Sequence, residues 1–156
     1  MKLWGGRFEG GPSEVFERFS GSLAFDKRLL DADIRGSIAY ASALERVGIL
    51  TAKESGELAA AFLAIQKESQ TAAFWEGAVD QGVDEDVHTL VIRKLKEHAG
   101  ELADKIHTGR SRNDQVSLDL RLWLREEIDA SSKELLALMS ALLAMAKRDP
   151  KAIVPG

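Results

Sequence analysis

The feature that most constrains this fold is a long stretch without a helix breaker near the end of the chain. Neither glycine nor proline occurs from Asp114 to Lys147, and Pro150 follows shortly after. A helix over these 34 residues would extend about 50 Å at roughly 1.5 Å per residue. Average helices in globular proteins have about 11–12 residues, so this one must cross or leave any small domain that contains it.

The second half of this predicted helix is apolar on nearly every face. The run Leu135–Ala146 is interrupted only by Ser140. Apolar side chains recur every seven residues or lie on adjoining rows at Leu124, Ile128, Leu135, Leu138, Leu142 and Met145. A helix that is apolar all round is a buried helix. Because the preceding segments are too short to surround it, we expect its partners to come from more chain, more subunits, or both.

Shorter helices are predicted before it. One should run from Asp26 to Val47 and end at Gly48, since glycine is the usual residue at a helix C-terminal cap. Its apolar stripe has spacings of three and four, which is typical of a helix: Leu30, Ile34, Ile38, Ala41 and Leu44. Thr51 and Glu54 have the spacing of a capping box. The helix that they start should bury Leu58, Phe62 and Ile65.

A further helix is predicted from about Asp84 to Gly100, with Val87, Val91 and Leu95 on its buried side. We expect a loop with at most one turn over Gln70–Gly82, and an irregular arm over about the first 25 residues with a short helix at Ser13–Phe19. No segment has the alternation of a β-strand. The sequence thus predicts an all-α protein, with an N-terminal helical domain over residues 1–113 and the first long helix of a central bundle over residues 114–156.

Composition excludes several classes of function. The formal net charge is −4 with both signs interspersed, whereas nucleic-acid binding calls for a clustered basic face. There is no cysteine, which rules out disulfides, thiolate metal sites and a cysteine nucleophile. The longest apolar run is shorter than the roughly 20 residues of a membrane span. We therefore expect a soluble, cytoplasmic protein with no nucleic-acid or membrane partner.

The three histidines are His88, His98 and His107. None forms an i, i+4 pair with a supporting ligand, so we expect no metal site. His88 follows Asp84, Glu85 and Asp86, but acidic residues are also the ordinary response to the dipole at a helix start. The more ordinary interpretation of each histidine is a structural or surface residue.

The segment His107–Gln115 is the strongest candidate for a binding site. Ser111 and Asp114 have capping-box spacing, which explains those two residues structurally. Capping does not explain the cations beside them, because positive charge is unfavourable at the positive end of a helix dipole. Arg110 and Arg112 suit a site in which backbone N–H groups and guanidinium groups converge on a carboxylate or phosphate. A solvated basic loop remains the alternative from spacing alone.

At this point the sequence resembles the argininosuccinate lyase family. The run HTGRSRNDQV (His107–Val116) looks like that family's most characteristic N-terminal segment. Three other segments agree in order and spacing: LWGGRF (Leu3–Phe8), Ser20-Gly21-Ser22 leading to Phe25-Asp26, and DEDVH (Asp84–His88). The run DLRLWLR (Asp119–Arg125) also fits the long helix of that family. Related lyases that release fumarate share the architecture but do not usually carry HTGRSRND, so the resemblance disfavours them.

The resemblance implies a small helical domain, followed by long helices that assemble into a homotetramer with a twenty-helix core. It implies β-elimination of argininosuccinate to arginine and fumarate, in arginine biosynthesis, without a metal or organic cofactor. Ser22, Arg112 and Asn113 match residues that hold the substrate. His88, Arg110 and Ser111 fall at neighbouring motif positions, for which we expect supporting roles.

The resemblance also implies that this chain is incomplete as a catalyst. Family members are roughly three times longer, and their acid and base lie in segments that would follow Gly156. Each active site combines three segments from three subunits, of which this chain supplies the first, so we expect no turnover by this chain alone. The alternative is a non-catalytic assembly module, like the lens crystallins that resemble this lyase, in which the arginine-rich turn is only a cap.

Overall fold

The computed structural model describes residues 13–79, 84–148, 150, 151 and 153, and every regular element among them is helical. The all-α prediction is therefore confirmed. The motif at Leu3–Phe8 and most of the predicted N-terminal arm lie outside the described residues. Among the described residues, no helix is long and apolar enough to cross a membrane.

Among the described residues, seven α-helices follow one another. They are α1 (Glu14–Ser20), α2 (Leu23–Asp26), α3 (Leu30–Arg46), α4 (Ala52–Glu68), α5 (Ala72–Val79), α6 (Val87–Ala99) and α7 (Arg112–Arg148). Two 3-10 segments, Lys27–Leu29 and Gly100–His107, join α2 to α3 and extend α6.

The ends of α3 and α4 form as the sequence predicts. Gly48 has a positive φ of 77° just past α3, a conformation that costs glycine least. The Thr51 Oγ1 atom accepts from the Glu54 N–H at 3.2 Å, and the Thr51 N–H donates to Glu54 Oε2 at 2.8 Å. The capping box is thus complete, and it fixes the first turn of α4.

Three predictions need correction. The helix predicted from Asp26 begins at Leu30, because the 3-10 segment Lys27–Leu29 precedes it. The segment predicted as a loop with one turn contains α5, which is held by the Trp75 Nε1–H donating to the Ser69 carbonyl at 2.9 Å. Helix α6 begins at Val87 rather than near Asp84, because Asp86 is extended and caps it. The 3-10 segment Gly100–His107, for which we had no prediction, buries Ala103 and Ile106, three residues apart as that helix type requires.

The core lies between α3, α4, α6 and the second 3-10 segment, which pack against one another. Its largest fully buried side chains are aliphatic apart from one phenylalanine: Ile34, Leu58, Phe62, Ile65, Leu90, Leu95 and Ile106. The stripes predicted for α3, α4 and α6 supply most of them. This packing holds α3 beside α6, and that is the arrangement on which the candidate site depends.

The chain divides into two compact units, residues 1–120 and 121–156, with the division inside α7. The predicted domain boundary after residue 113 stays a prediction. In the second unit the helix runs to Arg148, one residue beyond the predicted end. Between residues 135 and 145 its large apolar side chains are 55–62% exposed: Leu135, Leu136, Leu138, Met139, Leu142, Leu143 and Met145.

Candidate functional site

The candidate residues gather where the starts of α6 and α7 meet α2 and α3, all within the first unit. Asp86 is the N-cap of α6, and its Oδ1 accepts from the N–H and the Oγ1–H of Thr89, both at 2.7 Å. The same carboxylate receives Arg112 Nη1, at 3.1 Å from Oδ1 and 3.2 Å from Oδ2. One carboxylate therefore starts α6 and anchors the first residue of α7.

Ser22 lies on the other side of the α6 start. Its N–H donates to the Glu85 carbonyl at 2.7 Å, and its Oγ–H donates to Asp26 Oδ2 at 2.5 Å. The other oxygen of Asp26 accepts from the Val87 N–H at 3.1 Å. Ser22 and Arg112 thus both bond the segment just before α6, Ser22 through the Glu85 carbonyl and Arg112 through the Asp86 carboxylate.

Burial raises the pKa of Asp26, and the nearby negative charge of Asp86 adds to the rise. The hydrogen bonds from Ser22 and Val87 oppose it, because they favour the charged form. The Ser22 hydroxyl and the Val87 N–H therefore stabilise the charged form of Asp26, although the Asp86 carboxylate lies nearby.

Arg110 closes the turn that precedes α7. Its Nη1–H donates to Ser37 Oγ at 2.9 Å, and its guanidinium carbon lies 5.0 Å from the centre of the Tyr40 ring. The Tyr40 hydroxyl donates to the Thr108 carbonyl at 2.7 Å. Gly109 between them has a φ of 70°, which favours glycine. The turn is therefore fixed to α3 by both a cation–π contact and hydrogen bonds.

Ser111 precedes the first residue of α7, and its Oγ accepts from the Asn113 N–H at 3.2 Å. Ser111 is thus the N-cap of α7, and its hydroxyl oxygen bonds the N–H two residues further along. Asn113 is exposed at the mouth of the turn, where its side chain is accessible to a ligand.

A buried polar cluster lies beneath this surface. Asp33 of α3, His88 of α6 and Asp119 of α7 are all at most 3% exposed. His88 Nδ1 lies 3.5 Å from Asp33 Oδ1 and 3.6 Å from Asp119 Oδ2. Gln115 is also buried, and its Nε2–H donates to Asp33 Oδ1. Within the described residues, Asp33 Oδ2, His88 Nδ1 and both carboxylate oxygens of Asp119 have no hydrogen-bond partner.

Charge in this cluster sets the protonation of its members. Burial raises the pKa of Asp119 to about 7, and the Asp33 carboxylate adds to the rise against the positive charges of His88 and Arg110. Burial alone would raise the pKa of Asp33, but contact with His88, together with Gln115 and Arg110, lowers it. Burial alone would lower the pKa of His88, yet Asp33 raises it. These directions favour the charged forms of Asp33 and His88 and the neutral form of Asp119.

The same three residues could hold a metal ion, because one ligand atom from each lies within 4.8 Å of the others. Two carboxylates and one imidazole suit a divalent cation. Against this, the guanidinium of Arg110 already faces both carboxylates and lowers the cost of their charge. The sequence-based expectation of no metal site overlooked this cluster, since its ligands come from three distant helices.

The other two histidines have different environments. Burial lowers the pKa of His107, and the positive charges of Arg112 and Arg110 lower it further. His98 Nε2 lies 2.9 Å from Glu68 Oε1 on the surface. His107 thus lies beside the candidate site as a neutral imidazole, while His98 has no part in it.

The structure brings Ser22, His88, Arg110, Ser111, Arg112 and Asn113 to one region of the first unit, although their roles stay predictions. Sequence analysis missed Asp26, Asp33 and Asp119, and it did not identify Asp86 as the partner of Arg112. A signal was present: Asp33 with Ser37, and Gln115 with Asp119, are polar pairs at i, i+4 spacing on helix faces that turn inward.

Comparison with known proteins identifies the family of the chain. The chain matches the family described as Lyase over residues 6–156. It is 65% identical over its full length to argininosuccinate lyase of Solibacter usitatus, and 46% identical to that of Methylococcus capsulatus. It is 45% identical to a probable argininosuccinate lyase of Schizosaccharomyces pombe. In each case the chain spans 33% of the relative's length. With residues 6–156 matched, the chain belongs to the lyase family.

Proposed function

We propose that this chain is the N-terminal third of an argininosuccinate lyase, which cleaves argininosuccinate to arginine and fumarate. The observation that carries the proposal is the pairing of Arg112 with Asp86 at the start of α7, beside the exposed Asn113. The relatives that match the whole chain bear that enzyme's name. In this proposal the relatives share with this chain the turn at the start of α7, and that turn lies at the protein surface.

The chemistry asks for fixed donors around a carboxylate. In β-elimination a base removes the proton on the carbon beside a carboxylate, and an acid protonates the departing guanidinium nitrogen. Charge builds on that carboxylate in the transition state, so preorganised cations and N–H groups stabilise it. We assign this role to Arg112 and Asn113, with Ser22 as a third contact to the substrate.

Arg112 is well suited to the role because it is held without being buried. Its side chain is 25% exposed and that of Asp86 is 23% exposed. One nitrogen contacts Asp86, while a guanidinium carries five N–H donors in a fixed fork. The remaining donors are sufficient for a bidentate contact with a substrate carboxylate. Because Arg112 starts α7, the backbone N–H groups of that helix's first turn lie at the same end of the helix as its guanidinium.

We propose that Arg110, Ser111 and His88 support this surface rather than contact the substrate. Arg110 and Ser111 fix the turn through Ser37, Tyr40 and the Asn113 N–H. His88 is 3% exposed, too deep to meet a ligand at the mouth of the turn. In this proposal the general acid and base come from other segments of the intact enzyme, and the chain alone does not turn over.

We further propose that the intact enzyme is a cytoplasmic homotetramer, and that other long helices cover the exposed face of α7. Burying one fully exposed Leu or Met side chain is worth about 1.5–3 kcal/mol. Completing the burial of the seven between residues 135 and 145, which are 55–62% exposed, is therefore worth on the order of 6–12 kcal/mol. A purely structural assembly module would need the same face. The exposed face of α7 therefore does not favour the assembly module over the enzyme.

Substitution of Arg112 in the intact enzyme tests the proposal. We expect Arg112→Ala to lower kcat/KM for argininosuccinate by at least about a hundredfold, since losing one preorganised donor to the charge of the transition state costs roughly 3 kcal/mol. Sedimentation should show an unchanged assembly. Near-normal turnover by the variant would contradict the assignment of the site.

A further inference from the structure

We propose that Asp33, His88 and Asp119 form a proton-sharing triad that positions Arg112, and that Asp33 and Asp119 are therefore positioning residues of the lyase. This inference rests on the proposed function, because it concerns how the substrate-holding turn is kept in place. None of the three side chains contacts the substrate in this proposal. They act through the two helices that carry Asp86 and Arg112.

The first support is the location of the triad along the two helices. His88 follows Asp86 by two residues at the start of α6, and Asp119 follows Arg112 by seven residues on α7. Seven residues are two turns, so Asp119 lies on the same side of α7 as Arg112, about 10 Å further along. A contact between His88 and Asp119 therefore fixes the separation of the helix starts at which Asp86 meets Arg112.

The second support is the close approach of α3 to α7 at this level. Gly36 of α3 has no side chain, and a Cβ there would lie 3.1 Å from Leu118 Cδ2 and 3.4 Å from Asp119 Oδ1. A Cβ at this position would therefore push Leu118 away by a few tenths of an ångström, so Gly36 favours the close approach of α7. Asp33, one turn before Gly36, receives Gln115 of α7. The triad is thus one layer of a contact that joins three helices.

The third support is the set of unpartnered atoms. Both oxygens of Asp119 and the Nδ1 of His88 are buried without a hydrogen-bond partner among the described residues. Buried polar atoms in native proteins are nearly always satisfied. Distances of 3.5 and 3.6 Å from one imidazole nitrogen to two carboxylates leave that nitrogen equidistant from them. A proton on His88 Nδ1 and a second proton on Asp119 would let these atoms form hydrogen bonds with one another.

Several titratable and charged groups face the triad. They are Arg110 and His107 from the segment before α7, Arg112, Asp86 and Asp26. With protons on His88 and Asp119, the Asp33 carboxylate is balanced by the His88 imidazolium, and Arg110 lies close to both carboxyl groups. A divalent cation would bind these side chains only after both protons had left, because metal ligands are deprotonated, so metal binding is one outcome of the test.

The test measures kcat/KM for argininosuccinate against pH, from about pH 6 to pH 9, in the intact lyase. The variants are Asp119→Ala, which removes the proton-sharing group, and Asp119→Asn, which is isosteric and always neutral. Asp84→Asn is the matched control. It changes another buried carboxylate, one that is paired with Arg93 at 2.6 Å and is no member of the triad.

We expect Asp119→Ala to lower kcat/KM by about tenfold or more, mainly through KM, because a misplaced Arg112 loses binding in ground and transition states alike. Asp119→Asn should stay within about threefold of the wild type near pH 6. Its kcat/KM relative to the wild type should then rise as the pH increases, because only the wild type loses the shared proton. Asp84→Asn should lower the melting temperature and leave kcat/KM within about twofold.

Three results would overturn the triad. One is a constant ratio of the Asp119→Asn and wild-type values across the pH range, and another is a loss in Asp84→Asn as large as in Asp119→Ala. The third is about one equivalent of Zn²⁺ or Mn²⁺ bound by the wild type but not by Asp119→Asn. If Asp119→Ala does not fold, the ratio for Asp119→Asn decides alone.

The proposed function fails separately, if the wild type does not cleave argininosuccinate at all. The triad is then judged from stability. Asp119→Asn should gain in urea midpoint relative to the wild type as the pH rises, and an unchanged difference would overturn it.

Discussion

Asp86 performs two tasks that different substitutions can separate. Its carboxylate caps α6 through the Thr89 N–H and Oγ1–H, and it receives Arg112. Asp86→Ala removes both functions. Asp86→Ser keeps an oxygen that can cap Thr89, since serine is as good an N-cap as aspartate, but it gives up the charge that anchors Arg112.

The expected stability changes follow from these contacts. Loss of an N-cap costs about 1 kcal/mol, and loss of the second bond to Thr89 adds roughly 0.5–1 kcal/mol. The ion pair with Arg112 is about a quarter exposed, which limits it to about 1 kcal/mol or less. We expect a loss of about 2–3 kcal/mol for Asp86→Ala and at most about 1 kcal/mol for Asp86→Ser. Relief of repulsion with Asp26 makes both values upper limits.

Activity should follow a different order from stability. Both variants leave Arg112 without its anchor, so both should lower kcat/KM of the intact enzyme by about tenfold, or 1.4 kcal/mol. The matched control is Thr51→Ala, which removes the complete capping box of α4. It should cost about 1 kcal/mol of stability without changing kcat/KM. Stability is read from urea unfolding of the chain by circular dichroism, and activity from fumarate release.

The result that would refute this reasoning is an Asp86→Ser variant with wild-type kcat/KM. It would mean that Arg112 needs no anchor, and that Asp86 serves α6 alone. A large loss of activity in Thr51→Ala would refute it from the other side, because it would show that stability rather than geometry governs turnover.

Three further predictions concern other parts of the chain. Tyr40→Phe should cost about 1 kcal/mol, because it removes the hydroxyl that donates to the Thr108 carbonyl, and urea unfolding should show that loss with the turn more open to proteolysis. Asp119 has a folded-state pKa of about 7, above its ordinary 3.8, so the folded state binds more protons than the unfolded state between these values and stability falls as the pH rises through them. The free energy of unfolding of Asp119→Asn minus that of the wild type should therefore be larger at about pH 8 than at about pH 5. If this value is the same at both pH values, Asp119 ionises normally. The isolated chain should self-associate through the exposed face of α7, and Leu135→Glu with Leu142→Glu should abolish this in sedimentation experiments. Monomeric wild-type chain at high concentration, with cooperative unfolding, would contradict that expectation.

The fold was predictable where local signals agree with one another. In α3, α4 and α6 the apolar stripes have helical spacing, and each helix begins or ends at a capping residue or a glycine. In α7 the absence of any breaker over more than thirty residues left one outcome. The segment containing α5 was predicted wrongly because its glycine and polar residues resemble a loop. A local hydrogen bond from Trp75 to the Ser69 carbonyl and the burial of Phe74 in the core overrode that preference.

The candidate site was predictable only in part. Arginines at a helix start are visible in the sequence, because they contradict the preference of the dipole. The partners of those arginines are not visible, since Asp86 lies 26 residues before Arg112 and Ser37 lies 73 before Arg110. Asp33 and Asp119 are harder still to identify, because each resembles an ordinary helix carboxylate until the fold buries it beside His88.

The most direct test of this account is fumarate release from argininosuccinate, measured for the intact protein and for the 156-residue chain alone. We predict that the intact protein yields arginine and fumarate in equal amounts and that the chain alone yields neither. An intact protein that does not cleave argininosuccinate would contradict the proposed function. Turnover by the chain alone would contradict the assignment of the acid and base to other segments.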